Sequence, residues 1–217
     1  SKGTKILALT GRIKNTGLVE VVMGTPLESV VFDIGGGSAT GKAIRAVQTG
    51  GPSGGCLPVE KFDLPVTFDA LADAGSMVGS GGMVVMDEDS CMVDVAKYFL
   101  TFLQDESCGK CVPCRMGIDR MREIITDITE GRGFPEQLDL LEDLADTVSQ
   151  TSLCGLGKTA ANPVLSTLRY FREEYDAHIN QKKCTAGVCQ ALVTYSIDQE
   201  ACTGCGVCMR ECPFEAI

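Results

Sequence analysis

Cysteine spacing is the feature that most constrains how this chain can fold, because twelve cysteines are spread very unevenly along its 217 residues. Residues 1–90 hold one of them, residues 91–154 hold five and residues 184–212 hold six. A chain of this length can bury a sizeable core without disulfide staples, and its cysteine content lies below that of a short disulfide scaffold. The pattern therefore favours metal centres over an extracellular disulfide framework.

Charge and hydropathy exclude two classes of partner. The chain has 19 Lys and Arg against 29 Asp and Glu, which gives a formal net charge of -10. Nucleic-acid binding needs clustered cations to contact phosphates, so we expect no nucleic-acid partner. No apolar run approaches the roughly 20 residues of a membrane helix, so we expect no membrane insertion. The acidic charge fits a cytoplasmic location.

The first part of the chain, to residue 88, is predicted to be a small mixed α/β unit. Apolar runs over 5–11 and 18–24 are separated by a polar turn at 14–17, which is typical of a β-hairpin. Residues 26–34 begin with a proline and end at three glycines, as a short helix does. Further strands are predicted over 43–51 and 81–89.

The second part, 89–180, changes to helical periodicity. Apolar residues recur at three- and four-residue steps along four segments, which predicts four amphipathic helices and a small bundle. The four stripes are Met92, Val95, Phe99 and Leu103; Ile118, Met121, Ile125 and Ile128; Leu141, Leu144 and Val148; and Val164, Leu168, Phe171 and Tyr175. We expect each stripe to form core.

A three-cysteine motif, Cys108-x2-Cys111-x2-Cys114, lies between the first two predicted helices. Three thiolates at two-residue steps can converge on one face of a cubane cluster, while loop N–H groups bond its sulfurs. The fourth ligand must come from elsewhere, and Cys154 lies beside glycines in the loop after the third helix. We predict a [4Fe–4S] cluster on these four cysteines. Zinc is the alternative, but zinc sites more often use paired CxxC knuckles.

A second run, Cys202-x2-Cys205-x2-Cys208-x3-Cys212 followed by Pro213, reproduces the cysteine spacing of bacterial ferredoxins. In two-cluster ferredoxins the first three cysteines hold one cluster and the fourth reaches the other. No second run follows before Ile217. We therefore expect half of a ferredoxin-type site, because its ligand set is incomplete within this sequence. The site can hold a further [4Fe–4S] cluster only if another ligand is supplied.

A third group surrounds His178, the only histidine. Cys184 and Cys189 follow it on a short glycine-containing turn, and one more soft ligand would complete a closed structural zinc site. The cysteines left over are Cys91, at the start of the first bundle helix, and Cys56. We predict zinc on Cys91, His178, Cys184 and Cys189. The alternatives are buried thiols with a surface histidine, and Cys56 is interpreted as a small buried residue.

The sequence resembles a known family. The motif ESCGKCVPCR with the distant SLCGLG, preceded by GTKILALTGRIKNTGLVEV and GGPSGGC, closely resembles the NADH-binding flavoprotein subunit of respiratory complex I and its relatives. The trailing CTAGVC and the ferredoxin run are similar to the longer β subunits of NAD(P)-linked, often electron-bifurcating, [FeFe] hydrogenases and related formate dehydrogenases. The resemblance extends over essentially the whole chain.

The resemblance implies an α+β architecture in three parts. These are a β-grasp, soluble-ligand-binding domain over 1–88, a four-helix [4Fe–4S] domain over 89–180, and a zinc- and ferredoxin-like tail over 181–217. Family members begin with a flavin and NADH domain whose glycine-rich motif has no match here. We therefore expect an internal piece of a longer protein, with FMN and NAD(P) bound in the missing part.

The functional expectation is the transfer of single electrons from FMN through [4Fe–4S] clusters to a redox partner. The resemblance implies two partners, a thioredoxin-like [2Fe–2S] subunit and a catalytic iron–sulfur subunit of a hydrogenase or formate dehydrogenase. A complex I-type subunit and an NAD-dependent formate dehydrogenase are alternatives within the family. A zinc-stabilised docking module that transfers nothing is the alternative outside it. No residue of this sequence is expected to be catalytic in the hydride step.

Overall fold

The computed structural model of the chain describes residues 2–195, 197 and 200–212. Its first part is built on a mixed five-stranded sheet with the strand order β2-β1-β5-β3-β4. The strands are Thr4–Gly11 (β1), Gly17–Val22 (β2), Ile44–Thr49 (β3), Gly55–Pro58 (β4) and Gly82–Asp87 (β5). The first and last strands, β1 and β5, pair in parallel, and the other neighbouring pairs are antiparallel.

The predicted hairpin and the strands predicted over 43–51 and 81–89 are confirmed by β1, β2, β3 and β5. The helix predicted over 26–34 is shorter, a single π-helical turn at Ser29–Ile34. Strand β4 was not predicted, because its glycine-rich approach indicated a turn. Helix α1, Phe68–Asp73, was also not predicted, although Thr67 caps it by accepting a hydrogen bond from the Ala70 N–H.

The second part is helical. The helices are Met92–Asp105 (α2), Val112–Thr129 (α3), Glu136–Thr151 (α4), Gly155–Thr159 (α5), Asn162–Tyr170 (α6) and Arg172–Asn180 (α7), and Val207–Glu211 (α8) follows in the tail. The first three predicted stripes correspond to α2, α3 and α4. Their buried side chains form one continuous core with α6 and α7.

The prediction of a single fourth helix was wrong, because this segment forms two helices, α6 and α7. Phe171 leaves the helical conformation, with φ -133° and ψ 33°, and separates α6 from α7. Its ring is buried in a cluster with Ala46 and Met86 of the sheet and Met92 of α2. Burying this large ring against the sheet stabilises the break in the helix.

The sheet separates two hydrophobic cores, because successive strand residues point to opposite faces. Val47, Leu57 and Val85 face the core beneath α1 and the π-helical turn. Their neighbours Ala46, Cys56 and Met86 face the helices. The helical part, which carries metal-ligand candidates, therefore packs against one face of the sheet. Within the described residues no helix is both long and apolar enough to cross a membrane.

Candidate metal centres

Cys108 and Cys111 lie in the loop between α2 and α3, and Cys114 lies in the first turn of α3. Helix α2 ends at Asp105, and α3 begins directly after Cys111, with Pro113 in its first turn. The three thiols differ in exposure, since Cys108 is exposed, Cys111 is half-buried and Cys114 is buried. The N-terminus of α3, with its positive dipole end, lies at this loop and favours negative charge there.

Cys154 lies near these three cysteines, although it belongs to a later part of the sequence. It lies between the end of α4 and the start of α5 and is exposed. The two segments are in contact, since Gly157 of α5 packs against Cys114. The Leu153 backbone also hydrogen-bonds to the Cys111 thiol and lowers its pKa. Burial raises the pKa of Cys114, and the charges of Cys111, Cys154 and Cys108 raise it further. The four predicted cluster ligands therefore lie near enough for their charges to act on Cys114.

Two further residues line this group of thiols, a glycine of the segment noted beside Cys154 and a serine that was not predicted. Ser152 is buried, and its hydroxyl has no hydrogen-bond partner among the described residues. Gly157 of α5 packs tightly between Ser152 and Cys114. A buried hydroxyl without a partner is costly, so its presence beside these thiols fits a site that holds a group with acceptor atoms. Cluster sulfurs are such acceptors.

The second centre consists of Cys91, His178, Cys184 and Cys189, all buried, with their ligand atoms within 4.8 Å of one another. His178 Nε2 lies 3.4 Å from Cys91 Sγ and 3.3 Å from Cys189 Sγ. The sulfurs of Cys91 and Cys189 are 3.8 Å apart. Tetrahedral zinc with ordinary Zn–S and Zn–N bond lengths separates its ligand atoms by about 3.5–3.8 Å. The arrangement fits a closed zinc site.

The imidazole of His178 is oriented by its own helix. Its Nδ1 lies 2.7 Å from the Glu174 carbonyl oxygen, which accepts from Nδ1–H and leaves Nε2 directed at the sulfurs. Burial lowers the pKa of His178, but its hydrogen bond to Cys91 and the charge of that thiolate outweigh burial and raise the pKa to about 9. The hydrogen bond to Cys91 and burial raise the pKa of Cys184 to about 12. These four groups act on each other as one unit.

The structure places the remaining predicted residues as follows. Cys202, Cys205 and Cys208 are exposed in the tail, and Cys212 is half-buried. Hydrogen bonds from the Val207 backbone and the Thr203 side chain lower the pKa of Cys205. Pro213, the last residue of the ferredoxin motif, lies outside the described residues. Cys56 is buried between sheet and helices, is a member of neither predicted ligand set, and burial raises its pKa.

Glu174 is a further residue that the sequence analysis did not single out. It is 3% exposed, and its carboxylate contacts Arg45 and the Met92 N–H. The only signal in the sequence is its position four residues before His178, which places both side chains on the same face of a helix.

Two family descriptions match the chain. The NADH-ubiquinone oxidoreductase-F iron–sulfur binding region matches residues 94–178, and a 4Fe–4S binding domain matches residues 195–217. The chain is 57% identical over its full length to the NADP-reducing hydrogenase subunit HndC of Solidesulfovibrio fructosivorans, of which it covers 44%. It is 38% identical over 184 residues, 85% of its length, to the NADH-quinone oxidoreductase F 2 subunit of Rhizobium meliloti, again covering 44% of that protein.

Solved structures agree with these relationships. An NAD+-reducing [NiFe]-hydrogenase in the H2-reduced state superposes with a TM-score of 0.73 and 29% identity, over 82% of this chain and 29% of that one. The same enzyme type in the air-oxidized state gives the same score. The chain therefore spans less than half the length of these relatives.

Proposed function

We propose a function from the premise that this chain belongs to the family of NAD(P)-linked oxidoreductase subunits that carry the NADH-ubiquinone oxidoreductase-F iron–sulfur binding region. Its cysteines hold groups that pass single electrons within such a complex. The observation that carries the proposal is the meeting of two segments, the start of α3 with the loop before it, which hold Cys108, Cys111 and Cys114, and the loop that holds Cys154. When bound there, a [4Fe–4S] cluster accepts and releases one electron at a time.

The residues around the site would set the reduction potential of the cluster. Backbone N–H groups at the start of α3 and the positive end of its dipole favour additional negative charge. Burial of Cys114 favours less negative charge. The Ser152 hydroxyl is available as a donor. These opposing effects are the means by which the protein tunes an iron–sulfur potential.

The tail is proposed to form a second electron-transfer site. Its match to a 4Fe–4S binding domain and the spacing of Cys202, Cys205, Cys208 and Cys212 support this. Glycines at 204 and 206 adopt positive φ and let the loop turn tightly between the first three of these cysteines. Cys212 is the candidate to reach a neighbouring cluster.

The centre formed by Cys91, His178, Cys184 and Cys189 is proposed to be a structural zinc site. All four ligands are buried and come from the chain, so no coordination position is left for a substrate. Zinc there would fasten the segment after α7 to the start of α2.

The complete assembly is proposed to be an NAD(P)H-linked hydrogenase or a related oxidoreductase. The identity to a hydrogenase subunit over the full chain, tail included, favours the hydrogenase over the complex I type. We propose that FMN and NAD(P) bind outside these residues. A thioredoxin-like [2Fe–2S] subunit and a catalytic iron–sulfur subunit would be the electron-transfer partners, in the cytoplasm.

The domain boundaries remain predictions, at 1–88, 89–180 and 181–217. The sheet has the order β2-β1-β5-β3-β4, and its central strands β1 and β5 pair in parallel. This arrangement supports a β-grasp description of the first part. The packing of α2, α3, α4 and the pair α6 and α7 around one core supports a four-helix description of the second.

Metal analysis tests the proposed function most directly. Iron, acid-labile sulfide and zinc per chain would be measured on protein purified without oxygen, together with an EPR spectrum of the reduced protein. We expect at least four irons and one zinc per chain, with about eight irons if the tail is also occupied. Zinc without iron would overturn the electron-transfer proposal and support a zinc-stabilised docking module.

A further inference from the structure

We infer that the buried ion pair between Arg45 and Glu174 positions two of the four ligands of the Cys91–His178–Cys184–Cys189 centre. This inference rests on the zinc site proposed above. The two residues are 129 positions apart, one on strand β3 of the sheet and the other on helix α7. Neither is a ligand, so both would act through the residues they hold.

The pair holds the backbone on both sides of Cys91. Arg45 Nη1 donates to the Ser90 carbonyl oxygen at 3.1 Å, immediately before the ligand. The Met92 N–H, immediately after it, donates to Glu174 Oε2 at 3.0 Å. Met92 is the first residue of α2, so this N–H has no acceptor within its own helix and needs an external one. The sulfur of Cys91 therefore projects from a backbone that is held at two adjacent peptide groups.

The same glutamate holds the histidine ligand. Its backbone carbonyl oxygen accepts from His178 Nδ1–H at 2.7 Å, and its carboxylate fixes the first turn of α7 to the sheet through Arg45. The Arg45 guanidinium lies 5.4 Å from the centre of the Phe171 ring, which marks the break between α6 and α7. The orientation of the imidazole thus depends on where the ion pair places this turn.

The depth of Glu174 indicates that its contact with Arg45 is a fixed part of the fold. The Glu174 side chain is 4% exposed and that of Arg45 is 24% exposed. An ionised carboxylate at this depth is tolerated only when it is paired and its oxygens accept hydrogen bonds, as both do here. Outer-shell contacts of this kind usually change metal affinity by about 10–100-fold when removed.

The test is a chelator competition for zinc on the complete chain purified with its metals. Glu174→Ala is expected to raise the zinc dissociation constant by about 10–100-fold. Glu174→Gln keeps an acceptor for the Met92 N–H but loses the ion pair, so a smaller rise is expected. Replacing zinc with Co(II) gives a second readout, because a displaced thiolate or imidazole changes the ligand-field and charge-transfer bands.

Ser166→Ala is the matched control. Ser166 is equally buried at the same sheet–helix contact, where its hydroxyl accepts from the Cys56 N–H at 2.9 Å, but none of its described hydrogen bonds reaches a ligand-bearing turn. It reports loss of stability alone, and its zinc affinity should stay within about threefold of wild type.

An equal zinc affinity in Glu174→Ala and Ser166→Ala would overturn the positioning role while leaving the zinc site itself standing. If Glu174→Ala does not fold, Glu174→Gln takes its place in the same comparison. Wild-type protein without zinc would overturn both the site and the inference.

Discussion

Gly157 lies so close to Cys114 that a β-carbon placed on the glycine would come 3.2 Å from Cys114 Cβ and 2.5 Å from Ser152 Oγ. This contact joins helix α5, which follows Cys154, to the first turn of α3. Gly157 does not have positive φ, so its conformation does not require glycine. The close approach of α5 to Ser152, together with the nearby Cys114, does.

Replacing Gly157 with alanine is therefore expected to push α5 away from Ser152 and Cys114 and to reduce iron retention. Iron per chain after gel filtration without oxygen, with the EPR spectrum, measures this. Gly155→Ala is the matched control in the same short helix, because a β-carbon there meets no atom within 4 Å. Equal iron content in the two variants would show that the contact is unimportant for the cluster.

Cys154→Ala is expected to lower iron by about four atoms per chain, because a [4Fe–4S] cluster needs four protein ligands here and this change removes the only one that the second loop supplies. The zinc content should not change. Cys56→Ala, which removes a buried thiol that belongs to neither ligand set, should keep its iron. Four irons and an unchanged EPR signal in Cys154→Ala would contradict the ligand assignment.

Ser152→Ala is expected to make the reduction potential of the helical-domain cluster more negative by about 20–60 mV, the value of one hydrogen bond in a one-electron couple. The sign follows because a donor near a cluster stabilises the more negative, reduced form. A redox titration followed by EPR gives the value. Ser149→Ala serves as control, because its hydroxyl already donates to the Lys158 carbonyl on the surface. An unchanged potential would contradict a hydrogen bond from Ser152 to the cluster.

Cys184→Ser is expected to lose zinc while keeping iron, since the two proposed centres share no ligand. Because zinc bound only by the folded state stabilises it, the variant should unfold at least about 5 °C below wild type. Thermal unfolding followed by circular dichroism, with zinc analysis of the same sample, checks both effects. Full zinc occupancy in this variant would remove Cys184 from the site.

Cys56 is expected to resist alkylation in the folded protein. It is fully buried, its Sγ donates to Gln48 Oε1 at 2.9 Å, and burial raises its pKa, so little thiolate is present at about pH 8. In metal-free chain the exposed Cys205, whose pKa is lowered, should react early. Mass spectrometry after a timed iodoacetamide reaction compares the two. Rapid labelling of Cys56 would show that the sheet–helix contact opens readily.

Much of the site was predictable because its signals are local. The two-residue steps of Cys108, Cys111 and Cys114 and the apolar periodicity of α2, α3 and α4 depend only on nearby residues. The same holds for the β-hairpin, whose polar turn separates two apolar runs. Strand β4 and helix α1 were missed because glycine and proline around them resemble turn signals, and packing outweighed that local preference.

The sequence by itself determined which residues have the chemistry for metal binding, since thiols and a single imidazole at ligand spacing are readable without a fold. Only the tertiary structure decided what surrounds them. Gly157 packs against both Ser152 and Cys114, and Arg45 contacts Glu174 across 129 residues. Such contacts leave no local periodicity, because they arise where helices and a sheet pack, and packing is set by the whole chain rather than by neighbouring residues.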